Sequence, residues 1–217
     1  MKRLTRTQSR LTAKEYKMLA KLRTPIKIQN FLDATPMNWE KKGDTHMSPR
    51  RVLQTGKAHC IEGALLAAAA LWIQGESPLI MNLSARFGRG DCDHVITLYK
   101  RGGYFGAISK TNHAVLRFRD PVYRTLRELV LSYFNEWFID ETGEKTLECY
   151  SKPLDMGRFG SDWITKEKDL WEVAHALSVL PHYYLVPKGN WRHVRKADPM
   201  ERLAGNRVEW RKSDPRT

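Results

Sequence analysis

Two residues, Cys60 and His94, are of the types and in the settings from which nucleophilic chemistry is built. A cysteine attacks as its thiolate. The free thiol ionises near about 8.5, and a helix N-terminus or a neighbouring imidazolium lowers that to about 3.5–7.5. The run Gly56-Lys57-Ala58-His59-Cys60 places the sulfur where a loop turns into a helix, so the positive end of the helix dipole favours S⁻. His94 opens the strand-like run HVITLY. On a strand His94, Ile96 and Leu98 share one face, and Val95, Thr97 and Tyr99 take the other. With the histidine's row facing the core, its imidazole is expected to reach a helix packed across the sheet. A thiol beside an imidazole that a third group orients is the arrangement of covalent catalysis. Each residue alone has a plainer reading, since a free cysteine packs like a small hydrophobe and a strand histidine is commonly a satisfied core residue. Their joint placement, one at a helix start and one at a strand start, argues for a thiol site.

The elements that must position this pair are legible in outline. Thr12-Ala13-Lys14-Glu15 is a capping box with Leu11 and Tyr16 at the staple positions, predicting a helix from Ala13 to about Arg23 that stops before Thr24-Pro25. Residues 1–11 read as a disordered basic N-terminus. Ile26, Ile28, Phe31 and Leu32 suggest a further amphipathic turn before a polar loop to Thr45. Ser48-Pro49 starts a brief helix that Gly56 ends. Cys60 to Gln74, nearly without charge and followed by Gly75, reads as a buried helix, because a helix apolar all round has no face for water. Leu79–Leu83, Val95–Lys100 and Tyr104–Ser109 read as strands, the last two joined by a hairpin at Arg101-Gly102-Gly103. Asp120-Pro121 is expected to cap a long helix to about Phe138, with Val122, Leu126, Leu129, Val130 and Phe134 at helical spacing. Lys166–Val179 is expected to form another. The class is α+β: a buried helix on a small antiparallel sheet with flanking helices.

With those elements in place, GKAHCIEGALLAAAALWIQGESP resembles the core of the transglutaminase-like and papain-like cysteine peptidase superfamily, and DHVITLYKRGGYFGAIS resembles its next two strands, a histidine opening one and an aromatic opening the other. More loosely, LRTPIKIQNFLD, HCIEGALLAAAALW and RDPVYRTLRELVLSYF resemble an uncharacterised bacterial family with this core. The resemblance implies Cys60 as nucleophile and His94 as general base, with no cofactor. Where the superfamily carries an aspartate, this chain has Ser109, followed by Lys110, Thr111 and Asn112. A serine accepts a hydrogen bond from an imidazole but does not stabilise its charge as a carboxylate does. Asn112, by likeness to papain-like enzymes, and Asp91 or Asp93, by proximity, are the alternatives for a third member. The Cys60 backbone N–H is a natural oxyanion donor, and Gln54 resembles the papain-like second donor. The implied reaction is acyl transfer through a Cys60 thioester, ending in hydrolysis of a peptide or amide or in transfer to an amine. The competing class is a non-catalytic binding protein on the same scaffold.

Other readings of these residues are weaker. His59-Cys60 with Cys92 and His94 makes four potential metal ligands, but adjacent helix residues point apart and zinc needs four that converge, so no metal site is expected. Glu62 is expected to be a buried carboxylate paired with an arginine, such as one in the second half of the chain, ahead of the alternative that it is a site residue. The segment Arg86–Gly90 lacks the context of a nucleotide loop and is expected to cover the thiol site. The formal net charge of +13 is concentrated at the ends, with eight Lys/Arg against one acid in residues 1–23 and nine against four in 188–217. Residues 12–187 are therefore expected to form one domain, with 188–217 as a basic extension. The charged ends are where an acidic protein or a nucleic acid would bind. No apolar run reaches the length of a membrane span, and three widely spaced cysteines fit a reducing, cytoplasmic setting.

Overall fold

Helix α5 (Cys60–Gln74) is the element on which the others are laid, with twelve of its fifteen residues buried. The structure is a computed structural model and describes residues 2–41 and 43–213. On one side α5 is covered by α2 (Ala13–Lys21), α3 (Pro25–Ala34) and α4 (Pro49–Thr55). The Thr12 and Ser48 caps form as the sequence predicts. On its other side lies a mixed-order antiparallel sheet. Its strands are β1 (Leu79–Ala85), β2 (His94–Arg101), β3 (Tyr104–Ser109), β4 (Arg119–Tyr123), β5 (Leu147–Ser151), β6 (Leu154–Asp155) and β7 (His182–Tyr184). The order is β4-β3-β2-β1-β5-β7, with β6 also pairing on β1. The expected class, α+β, is therefore what the chain adopts, although the sheet is larger than expected. The β2–β3 hairpin pairs Arg101 with Tyr104 across Gly102-Gly103, both at positive φ (57° and 87°), the conformation that a two-residue turn matching strand twist demands.

Both faces of the sheet are covered. Val95 and Tyr99 of β2 pack with α5, and the Thr97 hydroxyl donates to the Ala64 carbonyl at 2.7 Å. Ile96 and Leu98 point the other way, to Leu129, Val130 and Tyr133 of α6 (Leu126–Phe134). This corrects the expectation for His94. Its row does not face α5, and it meets Cys60 because both stand at the ends of their elements on the same side of the molecule.

Four further expectations are overturned. The helix predicted from Asp120 begins only after Thr125, whose side chain and Glu128 form a capping box. Residues 119–123 instead form the edge strand β4, where Pro121 removes no needed hydrogen bond. Helix α7 (Trp171–Val179) starts later than Lys166, because the residues before it are spent on long-range bonds: Asp169 accepts from His46 N–H at 2.8 Å and pairs with Arg51. The N-terminus is ordered from residue 2, with α1 (Arg6–Ser9) under a Thr5–Gln8 capping box and Leu4 and Leu11 buried. The stretch from 188 is not an appended tail through residue 213: α8 (Pro199–Gly205) packs Gly205 against the Phe138 ring, and Trp210 is buried. Residues 214–217 lie outside the described residues. Among the described residues no helix is long and apolar enough to cross a membrane.

Candidate active site

Cys60 is the first residue of α5, half-buried, on the wall shared by two cavities of about 620 and 420 Å³. The backbone ahead of it is held by the 36–38 segment, where Ala58 N–H donates to Pro36 O and Asn38 N–H to Ala58 O, both at 3.1 Å. That short pairing aligns His59 and Cys60 at the mouth of the helix. Two imidazoles then meet the sulfur. His59 Nδ1 lies 3.8 Å from Cys60 Sγ, and His94 lines the larger cavity beside Cys60, where its charge acts on the thiol. Burial alone would push the thiol up, but hydrogen bonds and charge from His59 and His94 bring it down to about 5. Such a thiol is a thiolate at neutral pH.

His94 is fixed from its far side. Its Nε2 is 2.7 Å from Ser109 Oγ, and the Ser109 hydroxyl donates to Leu116 O at 2.9 Å. The single hydroxyl proton is thus committed to a carbonyl, so Ser109 accepts from His94 Nε2–H and leaves Nδ1 as the nitrogen available to the thiol. Ser109 is itself clamped by the buried Gln29 of α3, whose amide exchanges two 2.9 Å bonds with the Ser109 backbone as a neighbouring strand would. The Trp137 ring stands edge-on to His94 with centroids 6.0 Å apart. Asp91 orients that indole, accepting from its Nε1 at 3.0 Å and from the Thr146 hydroxyl.

The other sequence candidates are placed elsewhere. Asp93 accepts from Asn82 Nδ2 at 2.8 Å and Ala85 N–H at 3.0 Å, so it closes the β1–β2 connection and does not orient His94. Asn112 spends its amide on Trp210, accepting from its N–H at 2.7 Å and donating to its carbonyl at 2.8 Å, which docks the C-terminal segment. Gln54 is exposed on α4 and lines neither cavity, so it is no oxyanion donor. Of the Arg86–Gly90 segment only Gly90 reaches the larger cavity, while Arg86 and Arg89 pair with Glu144.

Sequence reasoning missed a second cluster. Glu62 is fully buried, as expected, but the cation beside it is His59 rather than an arginine, with Nε2 3.5 Å from Oε1. Its oxygens also accept from Asn38 Nδ2 (3.1 Å), Thr45 Oγ1 (2.8 Å), Met47 N–H (3.1 Å) and His59 N–H (2.9 Å). His59 Nε2 lies 2.6 Å from Thr45 O and 3.3 Å from Glu40. Burial pushes the His59 imidazole down, but Cys60, Glu62 and the Thr45 carbonyl outweigh it and hold it up at about 10. The available signal was an acid three residues after a histidine at a helix start, the spacing of a capping box. Among the described residues no group of three or more His, Cys, Asp or Glu side chains is disposed to hold a metal ion.

The chain matches no family model and no curated protein. The reading of its function therefore rests on the chemistry of the site.

Proposed function

We propose that the protein is a thiol-dependent acyl-transfer enzyme of transglutaminase-like or papain-like type, acting on peptide or amide bonds through Cys60 and His94. The observation that carries this reading is that Cys60 and His94 share one cavity wall, with Ser109 fixing His94 Nε2 so that Nδ1 is the free ring nitrogen. In the reaction the Cys60 thiolate attacks the carbonyl carbon, and its π electrons move to oxygen. The Cys60 backbone N–H, at the first position of α5, is the donor for that oxyanion. His94 enters the cycle as the imidazolium, its Nδ1 proton drawn from solvent and renewed in the second half-reaction; as the C–N bond breaks it gives that proton to the departing amine, leaving a thioester. His94 then takes a proton from water or an acceptor amine as that nucleophile attacks, and the thiolate departs. Ser109 keeps the imidazole in one tautomer throughout, a role that needs no carboxylate.

Two cavities meeting at one sulfur suit a substrate that passes the thiol, acyl part on one side and leaving group on the other. The basic ends support the binding-protein alternative less well, because residues 205–212 contribute Gly205, Val208 and Lys212 to the wall of the larger cavity. Iodoacetamide at about pH 6 tests the proposal. Cys60 should be alkylated faster than Cys92 even though Cys92 is the more exposed, because partial desolvation and the Asp91 charge raise the Cys92 thiol. Equal labelling of Cys60, Cys92 and Cys149 in the folded protein would sink it.

A further inference from the structure

The relay through His94 has no anion at its end, whereas the other imidazole at the sulfur has two. Thr45 O, a pure acceptor 2.6 Å from His59 Nε2, keeps a proton on that nitrogen. His59 Nδ1, 3.8 Å from the sulfur, therefore carries the lone pair in the neutral ring. Glu40 at 3.3 Å and Glu62 at 3.5 Å supply the negative charge that an imidazolium requires. We propose that His59, braced by Glu62 and Glu40, takes the Cys60 proton and holds the resulting positive charge, leaving His94 on Ser109 to exchange protons with the substrate. This rests on the thiol-enzyme reading above and divides its acid–base work between two histidines.

The transfer is balanced: the S–H bond breaks, an Nδ1–H bond forms, and Nε2–H stays on Thr45 O. Glu62 is a positioning residue. It cannot reach substrate, being fully buried, and its other bonds lock the 38–47 segment around the ring. The charged and titratable groups facing His59 are Glu40 and His46 from that segment, Cys60 and Glu62 from α5, and Asp93 and His94 across the shared wall. Lys110 and Lys212 line the same larger cavity. The nearest of these are the two carboxylates and the thiol, which all favour a charged ring. His46 opposes it, with ring centroids 6.0 Å away.

The pH profile of Cys60 alkylation separates this inference from the reading beneath it. His59→Gln should slow alkylation at about pH 6 by roughly tenfold or more, since a thiol returned from about 5 to about 7 or above keeps roughly a tenth or less of its thiolate at that pH, and should leave the rate at about pH 10 nearly unchanged. Glu40→Gln should give a smaller loss in the same direction. His94→Gln should move the profile less than His59→Gln while abolishing turnover of an amide or ester reporter. A profile unmoved by His59→Gln but shifted by His94→Gln overturns the assignment and keeps the thiol enzyme. A wild-type Cys60 that titrates as an ordinary thiol overturns the enzyme reading first. Should His59→Gln fail to fold, nitrogen-15 spectra of the wild-type histidine rings decide: both His59 nitrogens protonated at about pH 8 support the assignment, and a neutral ring overturns it.

Discussion

At the scale of single residues, the site sets a hydroxyl on one histidine and carboxylates on the other. Ser109 is almost fully buried and offers its proton to Leu116 O. Ser109→Ala should leave that carbonyl and His94 Nε2–H without partners, which costs about 1–3 kcal/mol each when buried. We expect lower turnover together with a lower denaturation midpoint, read from kinetics and urea unfolding. Ser109→Asp should not restore a conventional triad, because a carboxylate there would face the Leu116 carbonyl at hydrogen-bond distance. Higher activity in Ser109→Asp than in wild type would refute this. The pH dependence has a definite sign. Cys60 is lowered to about 5 and His59 raised to about 10, so alkylation should rise through about pH 5 rather than the ordinary thiol range. Loss of the His59 proton near about pH 10 should leave alkylation unchanged, since the thiolate is then present without it. Cys60, His94 and Ser109 were all legible as candidates, since each stands at an element boundary with a recognisable signature. Glu40, Asn38 and Thr45 were not, because a polar loop carries no periodicity to say which of its side chains fold inward.

At the scale of elements, α5 can approach the sheet and α3 only because it is small where they touch. A Cβ on Gly63 would lie 2.3 Å from Lys110 Cβ and 2.8 Å from its Cγ. Lys110 cannot swing clear, since its Nζ is held by Leu32 O at 2.9 Å and by Thr35 O. Gly63→Ala should therefore destabilise the protein by about 1–3 kcal/mol, the usual cost of overpacking, and displace Ser109, the neighbour of Lys110. Urea unfolding checks the first effect and turnover the second. The buried helix, the hairpin and the Thr12 and Ser48 starts were readable because local chemistry alone specifies them. The edge strand β4 was not. Val122 fell on the helical period of its neighbours, yet it is exposed, and the deciding signal was the Thr125–Glu128 box three residues on. Strands β5 and β7 have short, mixed sequences, and their identity comes from pairing with β1 and with one another.

At the scale of the whole molecule, the two basic ends are parts of the body. The N-terminal segment is tied to the far end of α5 by Leu4 N–H on Trp72 O at 3.1 Å, and the C-terminal segment walls the larger cavity. Removing residues 207–217 should unlock Asn112 from Trp210, open the cavity and reduce turnover, whereas a free tail would be dispensable. Comparing the truncated and full chains in a thermal melt and a reporter assay distinguishes the two. The nearly solvent-free α5 carries one more consequence. A helix with so little surface has almost no position at which a substitution escapes the core, so the element that presents Cys60 has little room to vary. The cavity walls are the reverse: residues 37–40, 90–93, 136–141 and 205–212 lie mostly in loops. Changes in the shape and chemistry of the cavity, in evolution or in a directed library, have their room in those four separated stretches.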